Sequence, residues 1–214
     1  MNLFVEENYP NLLPKIPLTS KDIEKDIATY PLTFLQNRPS KIEGGMELPM
    51  FVDAFYDCVL ANNKIPTQSD FLRFYVKSNL EHFKKYKLTK EDLLGLQGRV
   101  YRIYPSLVRD VHFAVYLREN LREGRILYNL KLDAVGTDIM LFYKDLNYGL
   151  RLFVNTYNSN RYKNKKDMNQ TLFDNVTYID LTLNLGTADS CGEFKLYGKE
   201  HLQKVEKESN MKGL

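Results

Sequence analysis

The residues of this 214-residue chain that could do chemistry fall into two groups. One is a basic run, Arg161, Tyr162, Lys163, Lys165 and Lys166, interleaved with Asn158, Asn160 and Asn164. Its four cations could follow a phosphodiester backbone, and Tyr162 could stack on a base. The plainer reading is a solvated loop. The other group is a set of carboxylates near the apolar middle of the chain: Asp110 in Arg109-Asp110-Val111-His112, Glu119, and Asp138 in Gly136-Thr137-Asp138. Asp138 stands where a turn hands over to an apolar run, a place where a carboxylate ordinarily bonds nearby backbone amides. Asp110 falls in the second turn of an expected helix, where it complements the helix dipole. His112 has no second His or Cys nearby, so a structural role outweighs proton transfer. The sequence carries no Walker phosphate loop, no dinucleotide-binding glycine turn, no Gly-x-Ser-x-Gly elbow and no Cys/His cluster for zinc.

The elements that must position these residues follow from periodicity. Leu48, Phe51, Val52, Phe55, Tyr56 and Val59 recur at helical spacing and predict a helix from about Pro49 to Ala61. Pro66-Thr67 opens a second, with a face of Phe71, Phe74, Tyr75 and Leu80. Thr89-Lys90-Glu91-Asp92 opens a third through a capping box in which Asp replaces Glu. Helix pairs joined by short turns can read DNA, but no basic recognition face is evident in the pattern. Pro105-Ser106 reads as a further helix start, with the helix running to Glu123 and ending at Gly124.

Arg125 to Thr156 then reads as a three-stranded antiparallel meander. Its first strand alternates Ile126, Tyr128, Leu130 and Leu132 against Asn129, Lys131 and Asp133. The second, Ile139 to Tyr143, is almost wholly apolar and therefore central. A turn through Asp145 to Gly149 leads to the third, Gly149 to Thr156. Val176 to Leu185 is a further strand, Glu193 to Tyr197 a short one, and Lys199 to Lys207 a charged terminal helix. Residues 1–45 read as an irregular arm ending at Gly44-Gly45, residues 46–103 as a helical region, and 104–214 as an α/β domain.

Composition sets the bounds. Hydrophobic residues at 43%, charged residues at 27% and a net charge of +3 describe an ordinary globular chain that tolerates nucleic acid without requiring it. No apolar run approaches the ~20 residues of a membrane helix, and the first residues lack the pattern of a secretion signal, so a cytoplasmic protein is expected. Cys58 and Cys191 lie far apart and are expected to be reduced thiols, with a disulfide as the alternative.

The order of helix, three-strand meander, crossover and strand over residues 105–185 resembles the core of the restriction-endonuclease-like PD-(D/E)XK superfamily. The resemblance implies an α/β (α+β) fold in which a helical N-terminal part precedes a mixed sheet of that type. It also implies a Mg²⁺-dependent phosphodiesterase acting in defence or DNA processing. Asp110 or Glu119 matches the family's helix acid, and Asp138 its second-strand acid, so Asp110 and Asp138 are the implied metal ligands. The third-strand motif departs from the pattern. In one register Phe153 replaces the acid and Asn155 the Lys; in the other Asn155 replaces the acid, offering its amide oxygen to a hard cation, and Tyr157 the Lys. The resemblance therefore implies a nucleic-acid-binding protein, either a metal-dependent nuclease or a degenerate one. The alternative is a non-catalytic interaction subunit of a larger protein complex.

Overall fold

The computed structural model describes residues 7–155 and 176–211. Helices dominate the first half and a mixed sheet the second, as the sequence leads one to expect. The helices are α1 (Ser20–Ile27), α2 (Phe51–Asn62), α3 (Gln68–Ser78), α4 (Leu80–Lys84), α5 (Lys90–Asn120) and α6 (Lys199–Glu208). The four-stranded sheet holds β1 (Arg125–Leu127), β2 (Ile139–Tyr143), β3 (Leu146–Val154) and β4 (Val176–Leu183), in that order. The meander β1-β2-β3 is antiparallel and β4 runs parallel to β3. A hairpin of β5 (Ser190–Cys191) and β6 (Phe194–Lys195) precedes α6. The chain divides into two compact units: residues 21–109 with 191–194, mostly helical, and residues 1–20, 110–190 and 195–214, which carry the sheet.

In the helical unit the caps fall where sequence places them. Thr67 accepts a hydrogen bond from Asp70 N–H at 3.2 Å, and at α5 Thr89 and Asp92 close a reciprocal box, Asp92 N–H to Thr89 at 3.1 Å and Thr89 N–H to Asp92 at 2.9 Å. Asn63, in the left-handed region with φ 49°, ends α2. Phe55, Phe71, Tyr75 and Tyr104 meet edge-on or tilted in an almost fully buried aromatic core.

Three expected features change. Residues 1–45 are not wholly irregular: Ile23 and Ile27, one turn apart and fully buried, hold α1 in place. Pro105 does not begin a helix, because α5 runs through it. Proline has no N–H for the carbonyl of Tyr101 one turn back, and the buried Gln68 side chain donates to that oxygen instead, at 3.1 Å. The first strand stops at Leu127. Asn129 turns the chain there, accepting Lys131 N–H at 2.8 Å and donating to Pro10 O at 2.7 Å, and a short 3-10 helix, Leu130–Val135, follows.

In the sheet unit, register sorts residues onto two faces. Ile139, Leu150 and Ile179 lie side by side across β2, β3 and β4, all essentially inaccessible, with Leu141, Leu181 and Leu183 on the same face. The opposite row is Leu127, Met140, Gly149 and Tyr178. There Leu127, Met140 and Leu132 form a small core that Tyr9, Phe142 and Val176 complete. The hairpin turn is tighter than expected: β3 begins at Leu146, and Lys144 takes the left-handed conformation at φ 52°.

Candidate functional site

Asp138 lies where β2 separates from β3. Its N–H donates to Leu150 O at 3.0 Å, the carbonyl opposite Ile139, while Thr137 N–H turns away to Leu132 O at 3.1 Å. Leu152 N–H is taken by the Asp138 carboxylate at 2.7 Å. The side chain thus stands in for a carbonyl where the ladder diverges. Arg151, between the two β3 residues that Asp138 contacts, pairs across the sheet with Asp180 on β4. Its Nε lies 2.5 Å from Asp180 Oδ1, and its guanidinium sits 5.2 Å from the Tyr178 ring centre and 5.8 Å from that of Phe153. Arg151 is 6% exposed, so this is a nearly buried ion pair with aromatic cover. Phe153 is buried, its carbonyl accepting the Tyr197 hydroxyl at 2.9 Å, while Asn155 is exposed and its N–H donates to Leu183 O at 2.8 Å.

The ligands implied for Mg²⁺ are Asp138 and Asp110. Two carboxylates can hold that ion together with substrate phosphates. One oxygen of Asp138 accepts Leu152 N–H, Arg151 beside it on β3 is paired with Asp180, and Asn155, just past the end of β3, is exposed. Asp110 is half-buried on α5. Among the described residues no group of three or more His, Cys, Asp or Glu is arranged to hold a metal. Glu119 is bound to Ser20, receiving both its N–H, at 3.1 Å, and its hydroxyl, at 2.5 Å. Arg161, Tyr162, Lys163, Lys165 and Lys166 lie outside the described residues.

A pocket of about 410 Å³ in the sheet unit is lined by Leu13, Pro14, Leu117, Leu121 and Ile126, with Asn11 and Arg118 among its polar residues. Both polar side chains serve the arm. Asn11 bonds the backbone of Leu13, Ile126 and Tyr128, and Arg118 donates to the carbonyls of Leu13, Ile16 and Leu18.

The helical unit holds a concentration of positive charge that sequence reasoning missed. Residues 35–45 lie along the first half of α5, and two glycines allow the close approach. A Cβ at Gly95 would clash with the Pro39 ring at its Cγ, and one at Gly98 would meet Asn37 O at 3.1 Å. Cations tie the strap down. Arg102 donates to Leu35 O at 3.0 Å and pairs with Glu43, Arg99 donates to Ile42 O, and Lys41 reaches Tyr86 O at 3.0 Å and Asp92 at 3.2 Å. The Thr89 N–H and Lys41 hold the Asp92 carboxyl below the usual range, opposed by burial. Burial lowers the Arg102 guanidinium against the pull of Glu43, and the charges of Arg38 and Arg99 lower it further.

The ridge continues through Tyr86 into the turn before α5, where Lys84, Lys85, Lys87 and Lys90 are exposed. Lys84 pairs with Glu81 at 2.6 Å. Among the described residues, Lys85, Lys87 and Lys90 have no carboxylate within ion-pair distance. Arg38, Lys41, Lys84, Lys85, Lys87, Lys90, Arg99 and Arg102 thus face the acids Glu43, Glu81, Glu91 and Asp92, three of which are already paired within the ridge. The spacing His82-x-Lys84-Lys85-Tyr86-Lys87-x-x-Lys90 was visible in the sequence; the arginines that join it from residues 38, 99 and 102 were not.

Comparison with known protein families, curated proteins and solved structures returns no match. Both cysteines are free thiols, and burial, with Asp70 nearby, pushes Cys58 up to about 11, so it is inert near neutral pH. No described helix is long and apolar enough to cross a membrane.

Proposed function

We propose that this chain binds nucleic acid through the basic ridge of its helical unit and does not cut it. The observation that carries the reading is the unpaired set Lys85, Lys87 and Lys90 set beside a strap that adds Arg38, Lys41, Arg99 and Arg102. Phosphates approaching such a surface release condensed counterions, which supplies affinity without sequence readout. The restriction-endonuclease-like kinship is part of the proposal. It is supported by the antiparallel meander with a parallel fourth strand, and by the position of Asp138 at the entry to β2. The chemistry of that family is not carried over, because Asp138 caps Leu152 and Arg151 is locked to Asp180.

A second reading, a non-catalytic subunit of a protein complex, is favoured by Leu93 and Leu94, 50% and 42% exposed at the start of α5. One experiment separates these readings. Labelled DNA and RNA oligonucleotides are incubated with the protein in Mg²⁺ or Mn²⁺, and binding and strand integrity are both followed. Shifted but intact strands support the proposal. Cleavage abolished by Asp138→Ala would restore the nuclease, and no shift at low salt would leave the interaction subunit.

A further inference from the structure

The turn that carries the lysines also carries two rings. His82 and Tyr86, one helical turn apart, lie with ring centres 5.1 Å apart and planes inclined at 43°, both half-exposed. Their backbone is anchored. Phe83 between them is buried against Tyr75 at 5.7 Å, Tyr86 O accepts Lys41 Nζ, and His82 Nε2 lies 2.7 Å from Glu47 O. Lys87, in the left-handed region with φ 44°, then turns the chain, and the exposed Lys84, Lys85, Lys87 and Lys90 flank Tyr86 in the sequence. The usual fate of a half-exposed ring beside lysines is to cover their methylene stems. Here the two rings meet at a tilt, His82 is held by Glu47 O, and Tyr86 stays half-exposed, which leaves part of its ring face open to a flat group.

We propose that this ridge takes single-stranded nucleic acid, with Tyr86 stacking on an unpaired base and Lys85, Lys87 and Lys90 holding the flanking phosphates. The inference rests on the nucleic-acid reading above and adds the strand type. A duplex offers phosphates to the same lysines but keeps its bases stacked inside, so the rings would gain nothing from it. An open strand offers both, and base–aromatic stacking is sequence-tolerant.

The test is fluorescence anisotropy with a labelled poly-dT oligonucleotide and with a blunt duplex of equal length. Variants Tyr86→Ala and Tyr86→Phe are compared, and circular dichroism confirms that both remain folded. The single strand should bind at least roughly tenfold tighter, Tyr86→Ala should lose about tenfold on the single strand and little on the duplex, and Tyr86→Phe should retain the difference. Equal affinity for the two forms, or an equal loss on both in Tyr86→Ala, overturns the strand preference while the basic ridge stands. Binding to neither form at low salt overturns the ridge as well.

Discussion

Gln68 and Pro105 should be energetically coupled although 37 residues separate them in the chain. Gln68 is 5% exposed, and its amide donates to Tyr101 O at 3.1 Å and to Thr33 O at 3.1 Å while accepting Thr33 N–H at 2.8 Å. Thr33 is exposed, so its backbone groups can return to water when the amide is lost. Tyr101 is 8% exposed, and its carbonyl has no helical donor because residue 105 is proline. Gln68→Leu keeps the volume and strands that oxygen, at a cost of about 2 kcal/mol. Pro105→Ala restores the missing N–H, so in that background Gln68→Leu should cost under ~1 kcal/mol. The expected coupling is then ~1 kcal/mol or more, read from urea unfolding of the four proteins in a double-mutant cycle. In thermal melts Gln68→Leu alone should lower Tm by about 4–8 °C for a chain of this size. If the two changes add within ~0.4 kcal/mol, the account of how α5 tolerates its proline is wrong.

Three further outcomes follow from the geometry. Asp180→Ala leaves the Arg151 guanidinium without its carboxylate at 6% exposure and should destabilise the protein by about 3 kcal/mol in urea unfolding, whereas Arg151→Met with Asp180→Leu should recover much of the loss. Burial holds His201 below its ordinary value of 6.5, so the unfolded chain takes up its proton first; stability should therefore fall as pH drops below about 6.5, and His201→Gln should flatten that slope in melts between pH 7.5 and 5. Gly95→Ala drives a methyl group into Pro39 and should cost about 1–3 kcal/mol in urea unfolding, while weakening oligonucleotide binding several-fold as Arg38 and Lys41 shift with the strap.

Where local chemistry decides, the sequence was readable. The caps at Thr67 and Thr89, the apolar β2 and the alternation of β4 need only neighbouring residues, and they stand where periodicity put them. Pro105 misled because a proline followed by Ser is a sound helix start unless something distant supplies the lost hydrogen bond, and Gln68 is distant. The first strand was overextended because its alternation runs on through Tyr128 to Leu132, while the turn at Asn129 is completed by Pro10 from the arm. For the site, Asp138 was conspicuous, but its commitment to Leu152 depends on where β2 and β3 part, which single-strand periodicity does not encode. The basic ridge is not legible in the sequence because its cations are dispersed over residues 38–102 and meet through contacts distant along the chain, the close approach at Gly95 and Gly98 and the bonds of Lys41, Arg99 and Arg102 among them.

The salt dependence of oligonucleotide binding tests the central claim most directly. Anisotropy titrations of a labelled single strand from 50 to 200 mM salt would compare the wild type with a Lys85→Ala, Lys87→Ala, Lys90→Ala triple variant. Removing three phosphate contacts should weaken binding and make the slope of log K against log salt shallower by about 2. An affinity and slope left unchanged by the triple variant would contradict the assignment of the ridge as the nucleic-acid surface.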